Sequence, residues 1–453
     1  MIVDEQMFNR FLRLAERVPG ATAVIETDSH RVVTRSALLL RAEELARELL
    51  ASGVRARDLV AIQLPNSADF VAAILAAAKL DLVIVPIDRD APPTEVAAIL
   101  GHFAVRSLVY RDAISTRVVH DRPALPAAAR LIKLTSGSTG LPKGIVTSDE
   151  NLVADCTSIC ASMDIRPDDM NFGAIPMSHS YGFSNLVMPL LVQGTPVVIS
   201  NQYMPQSVID LCNRYACTIV PLIPMVFEHL SNLPHEDGTF ATARTFLSAG
   251  APLPPATSRR FRERFGHPIH SFYGCSECGG ITYDRRGAAV ERGSVGTAME
   301  GVELSIESAR LIVRSDSVAL GYLHDVSTFH HFEPRTFVTD DLVEIVDGEV
   351  VLAGRVSDLI NTAGKKVNPR EVEQIILQLD GVRQVKVYGA PAGARGDVVA
   401  AAIVADPDIT REQVRMHCAA RLSAHKVPRI VKLIEQLPVD ERGKVKRAAL
   451  AML

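Results

Sequence analysis

The chain has 453 residues, of which 47% are hydrophobic and 22% are charged, so it is long enough to bury large cores in two or more domains. Its formal net charge of -4, a pI near 6.4 and the lack of a basic run with interleaved aromatic residues exclude a typical nucleic-acid-binding surface. The longest apolar runs, near residues 74–86 and 186–200, are too interrupted to span a bilayer, so we expect no integral membrane segment.

The first five residues are acidic and lack the charged-then-apolar pattern of a secretory signal. The seven cysteines are an odd number, which favours reduced thiols over a disulfide framework. We therefore predict a cytoplasmic protein.

The first third of the chain alternates helix-like and strand-like periodicity. Helices are predicted at residues 8–18, 36–53, 67–79 and 94–103, and strands at residues 22–26, 59–64, 82–87, 107–110 and 130–134. This alternation predicts an α/β fold in which helices cover a mainly parallel sheet.

The last predicted strand leads into residues 134–144, whose sequence is LTSGSTGLPKG. Glycines let backbone amides approach an anion and the hydroxyl groups add donors, so this loop suits a polyphosphate, although an ordinary surface loop is the alternative. A Walker phosphate loop is excluded, because Lys143 follows Pro142 and precedes Gly144. A helix is predicted at residues 148–163, so we expect the loop to lie between a strand and a helix.

Further along the chain, four residues have spacings that fit either a zinc site or a redox pair. His267, His270, Cys275 and Cys278 could together bind zinc, and Cys275 and Cys278 alone form a Cys-x-x-Cys pattern. The alternative is that these residues belong to a turn motif with another function.

Several segments, in order from Thr135 to Arg447, resemble the motifs of the adenylate-forming enzymes, which include acyl-CoA synthetases, aryl-acid ligases, luciferases and the adenylation domains of peptide synthetases. The resemblance implies an adenylate-forming fold, with a large N-terminal domain of helix-covered sheets at residues 1–355 and a small mobile C-terminal α+β domain at residues 356–453. It implies ATP and Mg²⁺ as cofactors.

The polyphosphate loop resembles the family's phosphate-binding loop. The resemblance assigns ATP binding there to Thr135, Ser136, Gly137, Ser138, Thr139 and Lys143, with Thr139 also counted as catalytic. The segment PMSHSYGF resembles the family's Pro-x-x-His-x-x-Gly region, so His179 and Tyr181 are expected to border the acyl pocket.

Two later segments resemble the adenine-binding strand and the Tyr-Gly-x-Thr-Glu motif. The resemblance places Gly250, Ala251 and Tyr273 at the adenine, Ser276 at the α-phosphate in place of the family's Thr, and Glu277 at Mg²⁺. The residues expected to border the acyl channel are Gly274, Cys275, Gly279 and Gly280.

The C-terminal segments depart from the family pattern at two positions. Asp341 aligns with the ribose-binding carboxylate, but Asp340 replaces the family's glycine, and Ser357 stands where the hinge residue is usually Asp or Lys. Arg355 is expected at the ribose or phosphate, and Lys444 matches the adenylation lysine. The loop at Gly364 is expected to reach the active site in the second half-reaction.

The resemblance implies an ATP-dependent ligase that forms an acyl-AMP and transfers the acyl group to a thiol, either of coenzyme A or of the phosphopantetheine on a separate acyl-carrier protein. No acidic residue lies between Ile175 and Leu191, where amino-acid-activating members carry an Asp, so an aryl or fatty acid is favoured as the small-molecule substrate. The segment at His425, HKVP, also resembles acyl-CoA and aryl-acid ligases. An amine acceptor and a non-catalytic nucleotide-binding protein of the same fold remain alternatives.

Overall fold

The structure is a computed structural model that describes residues 6–111, 113–117, 119, 122–135, 142–201, 204–234, 238–362, 365–391, 397–438 and 449–450. The chain forms two compact units. The first unit contains Met1–Leu304 and Val313–Phe337, and the second unit contains Ser305–Ile312 and Val338–Leu453. The predicted functional boundary after residue 355 concerns domain motion and stays a prediction.

The helices follow the predicted order closely. In chain order they are α1 (Met7–Arg17), α2 (Arg35–Ala51), α3 (Ala68–Lys79), α4 (Pro93–His102), α5 (Asp149–Met163), α6 (Ser180–Gly182), α7 (Met188–Val192), α8 (Pro205–Arg214), α9 (Pro224–Ser231), α10 (Pro255–Phe265), α11 (Pro369–Ile376) and α12 (Arg411–Ala419). A π-helical turn, Phe183–Val187, joins α6 to α7, and short 3₁₀ turns lie at Ala289–Arg292 and Val356–Asp358. Within the described ranges, no helix is both long and apolar enough to cross a bilayer.

The strands up to the Tyr-Gly motif are β1 (Thr22–Glu26), β2 (Arg31–Thr34), β3 (Leu59–Gln63), β4 (Val83–Pro86), β5 (Ser107–Tyr110), β6 (Ala113–Thr116), β7 (Ala129–Thr135), β8 (Lys143–Ser148), β9 (Asn171–Gly173), β10 (Val197–Ile199), β11 (Ile219–Leu222), β12 (Thr245–Ser248) and β13 (Ile269–Cys275). The later strands are β14 (Gly279–Tyr283), β15 (Ser294–Ala298), β16 (Glu303–Glu307), β17 (Arg310–Arg314), β18 (Gly321–Leu323), β19 (Phe329–His331), β20 (Thr336–Val346), β21 (Glu349–Arg355), β22 (Ile360–Thr362), β23 (Lys365–Val367), β24 (Val382–Pro391), β25 (Asp397–Ala405) and β26 (Ile430–Leu433).

The first unit contains two sheets. One has the strand order β15-β14-β13-β12-β11-β9-β10-β1-β2, and the other has the order β19-β18-β8-β7-β4-β3-β5-β6. In both sheets the central strands are parallel and strands on either side of them are antiparallel. Parallel strands need crossover connections, which the helices supply.

The second unit is small and mixed. Its strands form the orders β16-β17-β20-β21, β22-β23 and β24-β25-β26, and α11 and α12 share a core with the last group. Val387, Ile403 and Val414 lie in that core and are buried. The predicted fold class, a large α/β unit followed by a smaller α+β unit, is confirmed.

A cluster of phenylalanines packs the helices of the first unit onto its larger sheet. Phe227 of α9 and Phe246 of β12 both meet the ring of Phe261 of α10 edge-on, at centroid distances of 5.2 and 5.0 Å. All three side chains are fully buried. Burial of each ring stabilises the fold by about 2–3 kcal/mol, and the edge-to-face geometry adds to that.

At the polyphosphate loop the predicted local order is wrong. Strand β8 lies between the loop and α5, and it pairs antiparallel with β7, so residues 136–142 join two neighbouring strands rather than a strand and a helix. The predicted helix at residues 148–163 is confirmed as α5, and Ser148 caps it, since Ser148 Oγ accepts from Asn151 N at 3.2 Å while the Asn151 side chain accepts from Ser148 N at 3.0 Å.

A buried ion pair ties α5 to three other elements. Arg130 Nε lies 2.8 Å from Asp149 Oδ2, and both side chains are at most 7% exposed. The same guanidinium contacts Asp81 and the carbonyl of Leu82, and Asp149 Oδ1 accepts from the backbone of Met7 at the start of α1. The pair therefore holds α1, β4, β7 and α5 together.

A second, partly buried polar contact closes the open end of the hairpin of β13 and β14. His270 lies on β13, and its Nδ1 is 2.7 Å from the carbonyl oxygen of Asp284, to which the neutral ring donates. The ring also stacks on Tyr283 at 5.6 Å. Burial lowers the pKa of His270, and the hydrogen bond to Asp284 offsets part of this effect.

We expect Asp149→Asn to destabilise the first unit by about 2–4 kcal/mol, because it removes the buried one of the two carboxylates that pair with the Arg130 cation and leaves only the half-exposed Asp81. Urea unfolding followed by circular dichroism measures this change. The matched control is Asp164→Asn, which removes an exposed ion pair with Arg166 and should cost less than about 0.5 kcal/mol. Equal losses from both variants would contradict the role of the buried pair.

We expect His270 to contribute to a loss of protein stability at acidic pH. Its folded pKa lies below the unfolded value of 6.5, so the unfolded chain binds more protons, and stability is lost as the pH drops below that value. The variant His270→Asn keeps a donor for the Asp284 carbonyl but does not titrate. Between about pH 7.5 and about pH 5, the unfolding free energy of this variant should decrease by less than that of the wild type. If both proteins show the same decrease, His270 does not contribute to the pH dependence of stability.

Candidate active site

Strand β8 places Lys143 in a defined position at the end of the polyphosphate loop. Lys143 is paired with Thr135 across the β7–β8 ladder, and Thr135 Oγ1 donates to the Lys143 carbonyl at 3.3 Å. At Gly144 a Cβ atom would lie only 2.6 Å from the Ile132 side chain, so the strand needs glycine there. The loop residues Ser136, Gly137, Ser138 and Thr139 lie outside the described residues.

Tyr322 connects Lys143 to the predicted magnesium ligand. It lies on β18, which is the other antiparallel neighbour of β8. The Lys143 Nζ atom is 5.5 Å from the centroid of the Tyr322 ring, and the Tyr322 hydroxyl donates to Glu277 Oε1 at 2.8 Å. Burial, and then the Glu277 carboxylate, raise the pKa of Tyr322, which keeps its hydroxyl a donor. Tyr322 belongs to none of the sequence motifs described above.

The turn after β13 that carries Ser276 and Glu277 is fixed by three other elements. Ser276 Oγ lies 2.7 Å from Ser180 Oγ at the start of α6, and its carbonyl accepts from Lys133 Nζ of β7 at 3.5 Å. The Glu277 carbonyl accepts from the backbone of Ala319 at 2.8 Å. Both predicted contact residues are therefore held in place from several sides.

The predicted acyl-pocket residues His179 and Tyr181 are both anchored. His179 Nε2 is 2.8 Å from Asp88 Oδ2, and both side chains are partly exposed. The Tyr181 hydroxyl donates to the carbonyls of Leu222 and Leu247 at 3.3 and 3.1 Å, and burial raises its pKa. With its hydroxyl engaged in this way, Tyr181 offers its ring as an apolar surface.

Asp155 of α5 backs the turn at Gly279 and Gly280. Its buried carboxylate accepts from Gly280 N at 2.8 Å and from Ser184 Oγ at 2.6 Å. Gly279 has φ +70°, and a Cβ atom there would lie 2.1 Å from Asp155 Oδ1, so only glycine fits. Asp155 was missed, although an acidic residue on the helix face that carries Leu152 is a signal.

The remaining predicted wall residues lie beside this turn. Gly274 pairs with Gly280 across β13 and β14, and Cys275 pairs with Gly279. A Cβ atom at Gly274 would lie 2.3 Å from the Gly279 carbonyl. The structure thus brings together Gly274, Cys275, Gly279 and Gly280 in one short hairpin.

The predicted adenine-binding residues lie at the carboxyl ends of two adjacent parallel strands. Ser248 of β12 pairs with Ser271 of β13, and each chain then continues by two residues to Gly250 and Tyr273. Gly250 has φ +86°, which favours glycine, and Ala251 follows it. Carboxyl ends of neighbouring parallel strands form crevices in which α/β proteins bind ligands.

The zinc alternative is not supported. The His267 ring lies 5.3 Å from the Phe246 ring, and the His270 Nδ1 atom bonds to a backbone carbonyl. A hydrogen bond with Cys278, and then burial, raise the pKa of the Cys275 thiol. Within the described part of the chain, no three His, Cys, Asp or Glu side chains are grouped to hold a metal ion.

In the second unit, two predicted nucleotide contacts touch each other. Arg355 Nε lies 2.7 Å from Asp341 Oδ1, and Asp341 is nearly buried while the arginine is half exposed. Asp340, which replaces the family's glycine, accepts from the backbone of Ser357 at 3.1 Å. The expected Gly364 and Lys444 lie outside the described residues.

Comparisons with known proteins agree with these observations. The family model described as AMP-binding enzyme matches residues 11–134 and 120–323, and the AMP-binding enzyme C-terminal domain matches residues 371–444. A sulfoacetate–CoA ligase from Cupriavidus necator is 26% identical over 487 residues, covering 96% of this chain and 95% of that protein. A 2-succinylbenzoate–CoA ligase from Listeria monocytogenes is 26% identical over 430 residues and covers 90% and 91%.

Two solved structures share the fold. ATP-bound MatB from Rhodopseudomonas palustris has a TM-score of 0.82 at 24% identity, with 98% of each chain covered. The o-succinylbenzoate CoA synthetase MenE from Bacillus subtilis, in complex with the acyl-adenylate OSB-AMP, has a TM-score of 0.80 at 24% identity and covers 98% and 97%. Because the family models match well over half of its residues, the chain belongs to the AMP-binding enzymes, the adenylate-forming family that its motifs resemble.

Proposed function

We propose that this chain is an AMP-forming acid–thiol ligase, which activates a carboxylic acid with ATP and transfers the acyl group to a thiol. The observation that carries this proposal is the contact chain from Lys143 through Tyr322 to Glu277. It puts a cation at the end of the polyphosphate loop and a carboxylate next to it, as an ATP–Mg²⁺ site requires.

In the first step, an oxygen of the substrate carboxylate attacks the α-phosphorus of ATP. The bond between that phosphorus and the bridging oxygen breaks, pyrophosphate leaves, and acyl-AMP remains. Ser276 contacts the α-phosphate, and the residues from Thr135 to Lys143 hold the β- and γ-phosphates. Catalysis then consists mainly of positioning and charge neutralisation. Lys444 supplies the main charge between the carboxylate and the α-phosphate.

The residues present fit a magnesium ion. Glu277 offers one carboxylate, which Tyr322 holds in a fixed orientation through Oε1. Mg²⁺ is commonly bound by one or two carboxylates together with substrate phosphates and water, so a cage of several protein ligands is not needed. Bound there, the ion neutralises negative charge on the phosphates.

The wall around Tyr181 favours an apolar acyl group. The Tyr181 and Phe272 rings lie 5.8 Å apart, and the hydroxyl of Tyr181 is engaged by backbone carbonyls. His179, held by Asp88, adds one polar group at this wall. An aryl or fatty acid suits such a surface.

In the second step, a thiol attacks the acyl carbonyl carbon and AMP leaves. Coenzyme A is the thiol favoured here, because the named relatives in Cupriavidus necator and Listeria monocytogenes are CoA ligases. The phosphopantetheine of a carrier protein carries the same thiol, and an amine is the third acceptor to test.

The two steps require different C-terminal residues. We place the rotating segment at residues 356–453, with Ser357 as the hinge, so that Lys444 serves the first step and the loop at Gly364 serves the second. A cytoplasmic location remains part of the proposal.

We expect acid-dependent release of pyrophosphate from ATP when the protein is given a panel of aryl, fatty and short dicarboxylic acids. Pyrophosphate release alone, with no acceptor, indicates the first step. Adding coenzyme A, carrier protein or an amine should then identify the acceptor by mass spectrometry of the acyl product. A protein that binds ATP but releases no pyrophosphate with any acid would instead be a non-catalytic nucleotide-binding protein.

We expect Lys444→Ala to reduce acyl-AMP formation by at least about a hundredfold, because it removes the charge that stabilises the transition state. Transfer from supplied acyl-AMP to the thiol should stay within about threefold of wild type, since the lysine acts only in the first step. Quenched single-turnover assays measure both steps. The matched control, Lys446→Ala, should leave both unchanged, and equal losses of both steps in the Lys444 variant would contradict the two-conformation scheme.

A further inference from the structure

Two histidines lie next to Lys143 on the face of the sheet that carries Tyr322. Tyr322 of β18 pairs directly with His330 of β19, and His324 follows two residues after Tyr322. The His324 and His330 rings are 4.6 Å apart, and the Tyr322 and His324 rings are 5.9 Å apart. Because side chains alternate along a strand, Tyr322, His324 and His330 share one face.

The pairing of β8 brings Lys143 to the same group. Leu323 pairs with Gly144 at the end of the antiparallel ladder, so His324 and Lys143 are the residues that lie just beyond that last pair on the two chains. The Lys143 Nζ atom lies over the Tyr322 ring at 5.5 Å. One lysine on β8, one histidine directly after β18 and one histidine on β19 are thus grouped at the end of the loop that carries the glycines and hydroxyl groups. We call Lys143, His324 and His330 the basic group.

The charges within the basic group repel one another. Partial burial, then His330, then Lys143 lower the pKa of His324, and only Asp325 acts in the opposite direction. The Asp325 carboxylate is itself hydrogen-bonded to Ser327 and Thr328 in its own turn, which lowers its pKa. An anion bound among the three basic side chains would relieve the repulsion and favour protonated histidine.

Two other charged groups near this face do not belong to the basic group. Glu277 faces the Tyr322 hydroxyl and is the proposed magnesium ligand. His331 is one residue beyond His330, and its ring packs edge-on against Phe329 at 4.7 Å. Since neighbouring residues of a strand point to opposite faces, His331 lies on the other side of β19.

We propose that Lys143, His324 and His330 form a pH-dependent binding site for a polyphosphate anion, either the β- and γ-phosphates of ATP or free inorganic pyrophosphate. The proposal rests on the proposed ligase function, in which pyrophosphate is the leaving group. A polyphosphate has several charged oxygens that a lysine and two imidazolium groups can bind at once. The site binds more tightly as the pH falls, because each histidine that gains a proton adds a cation.

Isothermal titration calorimetry of the full chain with inorganic pyrophosphate tests the site at about pH 6 and about pH 8. Wild type should bind roughly tenfold more tightly at the lower pH, and binding should take up protons, which titration in buffers of different ionisation enthalpy reveals. His324→Asn and His330→Asn should each weaken binding at about pH 6 by about fivefold and reduce the pH dependence. His330 is exposed, so its replacement tests the site even if the other variant folds poorly.

His331→Asn is the matched control, because it removes a histidine from the opposite face of the same strand. It should bind pyrophosphate as wild type does, and an equal loss in this variant overturns the proposal. The two sources are separated by measuring ATP binding in the same variants. If the site holds the β- and γ-phosphates of ATP, variants of His324 and His330 should weaken the binding of both ATP and pyrophosphate, and if it holds only free pyrophosphate, they should leave ATP binding unchanged. The binding of AMP, which lacks the β- and γ-phosphates, should stay unchanged in either case, and an equal weakening of AMP binding also overturns the proposal.

The outcomes also separate this site from the proposed enzyme activity. If acids release pyrophosphate from ATP but both histidine variants bind pyrophosphate like wild type at both pH values, only the basic group is overturned. If no acid releases pyrophosphate but binding depends on the two histidines and on pH, the site is supported and only the ligase function is overturned.

Discussion

The position of β8 between β7 and β18 is the constraint on which the candidate site depends. The ladder to β7 pairs Thr135 with Lys143, and the ladder to β18 pairs Ile145 with Tyr322. A shift of either ladder by one residue turns every side chain of β8 to the other face. Lys143 would then leave the Tyr322 ring, and the link to Glu277 would be lost. Backbone hydrogen bonds far from any substrate thus decide where the cation of the loop lies.

Helix α5 contributes to this arrangement through two buried carboxylates. Asp149, in its first turn, holds the Arg130 guanidinium on β7, and Asp155, in its middle, holds the glycine turn after Glu277. One rigid helix therefore supports both the strand that leads into the polyphosphate loop and the turn that follows Glu277. Supporting contacts of this kind hold the segments that carry the functional side chains, and they leave those side chains available for other contacts.

Much of the fold follows from local sequence patterns. The spacing of the buried residues Met7, Phe11 and Ala15 in α1 and the Ser148 cap of α5 are properties of neighbouring residues, and both were predictable. Strand β8 was not, because its short apolar run directly precedes a helix cap and gives no turn signal of its own. Because β8 was not predicted, the loop was expected between a strand and a helix, whereas it joins the antiparallel strands β7 and β8. Short strands of this kind are defined by their neighbours in the sheet.

The residues of the candidate site can be divided in the same way, into those that local motifs identify and those that only long-range contacts identify. Motifs are contiguous, so a resemblance can identify Glu277 or His179 in one segment. Their partners Tyr322 and Asp88 come from distant segments and carry no local signal, because only the sheet pairing brings them into contact. The Asp341 and Arg355 contact also depends on pairing, since the two residues are opposite each other on β20 and β21.

The contact between Cys275 and Cys278 bears on the redox chemistry of the protein. Thiolates, and not thiols, attack disulfides, and the high pKa of Cys275 keeps it protonated at neutral pH. A ligase that works with thiol acceptors also meets their disulfides. With its thiol protonated, Cys275 beside the turn that carries Glu277 is a poor nucleophile toward such disulfides.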